Sequence, residues 1–151
     1  MALKIGAKAP AISLHDDRDQ PFQLSSLKGK RVVLYFYPKA DTPGCTKESC
    51  EFRDTTAKFL KKDTVILGIS PDTPAAQAKF KAKFQLPFTL LADADHAVAE
   101  AYGVWKEKSM YGKKYMGVER STFVIDAEGK IEKVFEKVKP EGHAASVLEG
   151  L

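Results

Sequence analysis

The chain of 151 residues carries a formal charge of +4 and is 44% hydrophobic and 29% charged, a balance that fits one globular domain over residues 1–151 and excludes disordered and fibrous classes. Its positive charge is mostly lysine scattered along the chain, with no basic cluster or recognition motif, so no nucleic-acid partner is expected. No apolar run near the start suits a leader and none reaches the length of a membrane span, so a cytoplasmic protein with no membrane partner is expected.

In chain order, short strands are expected around residues 11–14 and 22–24, separated by the polar turn Asp16-Asp17-Arg18-Asp19. The near-continuous apolar run at 31–37 predicts a strand covered on both faces, as do 65–70 and 121–125. Helices are expected at about 43–61, 74–84 and 95–102, and a short one from Pro140 to the end. Strands 121–126 and 130–138 flank Ala127-Glu128-Gly129, which predicts a hairpin. The result is an α/β fold with a central mixed sheet flanked by helices on both faces, and such folds place their chemistry at the carboxyl ends of strands.

Both cysteines fall at one such end, in PKADTPGCTKESC, residues 38–50. Pro38 stops the strand. Thr42-Pro43 starts a helix, with threonine able to cap exposed amides and proline preset for the first helical position. Cys45 then lies in the first turn, where unpaired amides and the positive end of the helix dipole favour a thiolate. Phe52 and Phe59 follow Cys45 at heptad spacing, which puts Cys45 on the buried stripe, while Cys50 is rotated about 140° away and is expected to be more peripheral. Five residues of ideal helix separate the two Cα atoms by about 8.7 Å, beyond the limit of about 7 Å for a disulfide. The cysteines can therefore join only if the helix start unwinds, which Gly44, Thr46 and Ser49 make easier.

Residue chemistry alone leaves alternatives open. Thr73-Pro74 opens another predicted helix without a cysteine, so Thr-Pro by itself is helix grammar, and Cys45 is either a catalytic nucleophile or a small buried hydrophobe. No metal or other cofactor is expected: two cysteines cannot complete a four-ligand site, and His15, His96 and His143 lack ligand spacing. Each histidine is expected on the surface or in a turn. A Cys-x-x-Cys pair is missing, which disfavours a thioredoxin-type disulfide carrier.

Pro38, Thr42 and Cys45 fit the Pro-x-x-x-Thr-x-x-Cys motif of peroxiredoxins, and a second cysteine five residues on resembles the peroxiredoxin Q (bacterioferritin comigratory protein) subfamily. The resemblance extends from Gly6-Ala7-Lys8-Ala9-Pro10 to the stretch 117–126 and the last helix. It implies a thioredoxin-like fold, reduction of hydrogen peroxide and organic hydroperoxides, and recycling by thioredoxin or a similar dithiol protein. It further implies that Cys45 attacks the peroxide and that Cys50 resolves the resulting sulfenic acid as an intrachain disulfide. Donors must meet the charge that develops over sulfur and two oxygens. The amides of Gly44 and Cys45, the Thr42 hydroxyl and the fork of Arg120 are the expected ones, with Pro38 excluding water. Glu48 either orients an arginine or is a first-turn acid that complements the dipole, and Arg53 is a further candidate, with a surface role as the preferred reading. An intrachain resolving cysteine removes any chemical need for a partner subunit, so a monomer is expected. The alternatives are a disulfide reductase or redox sensor using the same pair, and a non-catalytic binding domain. Peroxiredoxins prone to overoxidation carry a Gly-Gly-Leu-Gly loop and a C-terminal Tyr-Phe pair; Gly103-Val104-Trp105 and Glu149-Gly150-Leu151 depart from both, which predicts relative resistance.

Overall fold

The computed structural model describes residues 3–151, so Met1 and Ala2, part of the N-terminal stretch and of the expected domain, lie outside the described residues. Two short strands open the chain, β1 (Ser13–Asp16) and β2 (Pro21–Gln23), paired antiparallel. They sit a residue or two from their expected places. A single turn of 3-10 helix, Leu24–Leu27, leads into β3 (Arg31–Phe36). Then come α1 (Pro43–Lys61), β4 (Thr64–Ser70) and α2 (Pro74–Phe84). Both of these helices begin at the expected Thr-Pro pairs. After α2 the chain forms β5 (Thr89–Ala92), α3 (Ala97–Ala101), β6 (Trp105–Met110), β7 (Lys113–Val118), β8 (Ser121–Ile125), β9 (Ile131–Phe135) and α4 (His143–Glu149).

Among the described residues, seven strands form one mixed sheet in the order β2-β1-β5-β4-β3-β8-β9. The pairs β3/β4 and β4/β5 are parallel, and β8 and β9 add antiparallel on the other side of β3. The buried run in β3 feeds two cores by alternation. Val32, Leu34 and Phe36 point to one side, with α3 and the N-terminal segment; Val33 and Tyr35 point to the other, against α1, α2 and α4. On that second side Cys45, Phe52 and Phe59 of α1 are all buried, as their spacing requires. Gly68 of β4 lies beneath Tyr35, where a Cβ would come within 2.8 Å of the Tyr35 hydroxyl oxygen. Only glycine admits that approach, and it leaves the Tyr35 hydroxyl free to meet Ser49 Oγ of α1 at 2.8 Å.

Several expectations need correction. The helices expected at 95–102 and from Pro140 onward are shorter, as α3 and α4. In the second case Pro140 and Glu141 remain in a turn and Gly142, at φ +76°, precedes the helix. The expected strand 130–138 contracts to β9. Strand β5 and the β6–β7 hairpin were not expected at all. The hairpin closes on the two residues Tyr111 and Gly112, both in the left-handed region at φ +53° and +78°, the geometry of a primed turn.

Candidate active site

The end of β3 delivers the chain into the site. Tyr37 N–H continues the parallel ladder to Ile69 O at 3.0 Å, and Pro38 then ends it, since proline has no N–H to donate. The loop to Thr42 turns into α1. Thr42 is extended (φ −99°, ψ 157°) and its carbonyl accepts the first helical bond, from Thr46 N–H at 2.8 Å. The capping expected of Thr42 does not occur. Its hydroxyl instead donates back to Lys39 O at 2.8 Å, and among the described residues the Gly44 and Cys45 amides meet no acceptor.

Cys45 itself is buried, 1% exposed. Arg120, placed between β7 and β8 and fixed by Val138 N–H donating to its carbonyl at 2.9 Å, sends Nη2 to Cys45 Sγ at 3.2 Å. Its Nη1 donates to Glu48 Oε1 at 2.7 Å. The two arms of one planar fork thus bind different elements of the site, which lysine cannot reproduce. Glu48, one turn after Cys45, is thus in direct contact with an arginine. A Cβ at residue 44 would stand 3.2 Å from Arg120 Nη2 and 3.3 Å from Pro140 Cγ, so glycine there lets the guanidinium and the Pro140 turn close over the helix start.

Burial sets the electrostatics. It pushes the Glu48 carboxyl up to about 7, with Arg120 pulling the other way, and Glu48 Oε2 is buried with no hydrogen-bond partner. Burial also works against the Arg120 cation, but Glu48 and Cys45 outweigh it and hold the guanidinium above its usual value. Both sulfurs are free thiols on a continuous helix, Cys45 buried and Cys50 half-buried, as the helical rotation requires.

Two residues depart from their expected roles or stay outside the site. His143 was expected at the surface or in a turn, yet it is buried, with Nε2 at 2.7 Å from Thr122 Oγ1 and its ring edge-on to Phe52 and Phe135. Burial, reinforced by Arg120, pushes it down to about 4. Arg53 pairs with Asp54 at 2.9 Å and donates to Phe84 O at 2.8 Å, where it caps the end of α2.

The chain has known relatives. The model of the AhpC/TSA family matches residues 5–134. Peroxiredoxin Bcp of Bacillus subtilis is 52% identical over 151 residues, covering 100% of this chain and 96% of that protein. A Xanthomonas campestris bacterioferritin comigratory protein, solved in work on its alkyl peroxide reduction activity, superposes with a TM-score of 0.91 at 38% identity, over 97% of this chain and 96% of that one. A Xylella fastidiosa PrxQ mutant gives a TM-score of 0.94 at 34% identity, over 99% and 96%. The chain belongs to the AhpC/TSA family, as a peroxiredoxin of the Q or Bcp branch with the thioredoxin-like fold of its structural relatives. It is accordingly a thiol peroxidase.

Proposed function

We propose that Cys45 is the sulfur that attacks the peroxide and that Cys50 resolves it. The observation that carries this reading is the Arg120 guanidinium 3.2 Å from Cys45 Sγ, at a helix start whose Gly44 and Cys45 amides meet no acceptor among the described residues. Cys45 thiolate attacks one peroxide oxygen. An S–O bond forms as the O–O bond breaks, sulfur loses two electrons, and the departing hydroxide or alkoxide takes a proton to leave as water or alcohol. The two amides and Arg120 meet the negative charge that builds up in that step, and the Thr42 hydroxyl joins them by turning away from Lys39 O. Pro38 keeps bulk water from the sulfur, and Glu48 aims Arg120.

The start of α1 then unwinds and the Cys50 sulfur attacks the sulfenic sulfur, forming the S–S bond and expelling water. A dithiol protein of the thioredoxin type restores both thiols by exchange. The substrate class is hydrogen peroxide and organic hydroperoxides, the class named in the work on the Xanthomonas relative being alkyl peroxides. Among the described residues no helix is long and apolar enough to cross a membrane; the bacterial Bcp relatives support a cytoplasmic place, and an intrachain resolving sulfur, which leaves no chemical need for a second subunit, supports a monomer.

Thioredoxin-coupled peroxide consumption tests the assignment. Cys45→Ser is expected to fall to background. Cys50→Ser is expected to form a sulfenic acid at Cys45 but to lose normal recycling. Peroxidase activity that survived in Cys45→Ser would place the reacting sulfur elsewhere.

A further inference from the structure

The loop that feeds α1 is held from outside by a chain of hydrogen bonds, among the described residues, that includes neither cysteine nor Arg120. The Tyr37 hydroxyl donates to Gln77 Oε1 at 2.6 Å. Gln77 Nε2 donates to Ser70 Oγ and to Leu91 O, each at 2.8 Å, and Ser70 Oγ donates to Asp72 Oδ2 at 2.6 Å. That same carboxylate oxygen accepts the Ala40 amide at 2.8 Å. Tyr37, Gln77 and Ser70 are buried, and a chain of satisfied bonds ending on a carboxylate is stiff.

The very next residue is different. Asp41 sits at φ +60°, a left-handed conformation that a non-glycine residue adopts at a cost. Among the described residues, the remaining side-chain ties of the loop are weak ones. Asp41 makes an exposed ion pair with Lys83 at 2.9 Å, and the Thr42 hydroxyl bonds back to Lys39 within the loop itself.

We propose that Asp72 is a positioning residue for the peroxidase reaction: by fixing Ala40 it makes Asp41 the hinge at which unwinding of the α1 start stops. The proposal rests on the reading that Cys45 attacks and Cys50 resolves. With Ala40 fixed, the helix start has one anchored end. The Gly44 and Cys45 amides then hold their places relative to Arg120, which the attack on peroxide needs. Disulfide formation needs the opposite, a helix start that comes apart. The tether therefore favours the first step and restrains the second, so its removal moves the two rates in opposite directions.

Rapid-quench single turnovers with hydrogen peroxide, with sulfenic acid and disulfide counted by mass spectrometry, separate the steps in the full chain. Asp72→Ala is expected to slow oxidation of Cys45 about tenfold, the scale of one charge-assisted hydrogen bond. The same variant is expected to form the disulfide several-fold faster than wild type and to need more peroxide for overoxidation. Asp72→Asn keeps a carbonyl acceptor for Ala40 without the charge and is expected to fall between the two. Should Asp72→Ala fail to fold by circular dichroism, the isosteric Asp72→Asn carries the test with the same two signs. A residue that only stabilises the fold would slow both steps or neither; either result, or a change in one step alone, overturns the proposal. If wild type itself forms no sulfenic acid at Cys45, the assignment on which the proposal rests falls, and the proposal falls with it.

Discussion

Helices α1 and α2 begin with the same two residues and put them to different uses. At α2, Thr73 is extended, Pro74 occupies the first turn, and the Thr73 side chain accepts Ala76 N–H at 3.2 Å. At α1, Thr42 is extended and Pro43 follows, but the hydroxyl turns back to Lys39 O and leaves the amide of Cys45, the residue equivalent to Ala76, without an acceptor. One start spends its cap on stability. The other leaves its donors without a partner among the described residues, and in the proposed mechanism they meet the negative charge that forms on or beside the sulfur. A cap motif read from sequence thus says where a helix begins, and its side-chain partner says whether that beginning is structural or chemical.

Three experiments break or sharpen the contrast. The largest expected effect is at Arg120, which has no counterpart at α2. Arg120→Lys keeps the charge but loses the fork shared between Cys45 and Glu48, and kcat/KM for peroxide is expected to fall about a hundredfold. A fall of only a few-fold would mean that the amides suffice. Next come the paired threonines. Thr73→Ala is expected to lower stability by about 1 kcal/mol with the rate of Cys45 oxidation unchanged, whereas Thr42→Val is expected to slow that oxidation about tenfold for a smaller loss of stability. Equal stability losses in denaturant titrations would erase the difference between the two caps.

The smallest effect is in pH. Glu48 titrates at about 7 in the fold against its ordinary 4.5, so between those values the folded chain holds a proton that the unfolded chain has released. Its contribution to stability is complete below pH 4.5 and disappears as pH rises through 7. His143 has the reverse sign: held at about 4 rather than 6.5, it contributes fully above pH 6.5, and this is lost as pH falls through 4. In thermal melts, the Tm advantage of wild type over Glu48→Gln is expected to shrink from pH 4.5 to 7. Relative to His143→Gln it is expected to shrink from pH 6.5 to 4, and Thr73→Ala is expected to show no such trend. A flat difference for Glu48→Gln would mean that Arg120 keeps the carboxylate ionised throughout.

The sequence exposed those parts of the molecule whose cause is local. β3, β4 and β8 are buried on both faces, so their apolar runs stand out, and the heptad from Cys45 through Phe52 to Phe59 predicted which sulfur lies inside. Gly44, Cys45, Glu48 and Cys50 share one helix and could be related by counting residues along it. Arg120, 75 residues from Cys45, was reached through the family resemblance instead. Hidden elements had weak or unusual signals. β5 is four residues long directly after Leu86-Pro87-Phe88, and the β6–β7 hairpin is rich in lysine and turns on Tyr111-Gly112 rather than on the Asn-Gly or Asp-Gly that usually marks a primed turn. The polar partners were the least accessible. Ala40 finds Asp72 32 residues away, Tyr37 finds Gln77 40 away and Thr122 finds His143 21 away, and no periodicity links such pairs before the sheet brings them together.

The far end of the chain bears on the same chemistry. Pro140 rests against Gly44, Glu51 Oε1 receives the Gly142 amide at 2.8 Å, and Lys133 Nζ holds Gly150 O. A purification tag or fusion partner attached after Leu151 would load the segment that packs on the start of α1, the part that comes apart in the proposed cycle, so that end is a poor handle for anyone who wants to measure this enzyme undisturbed.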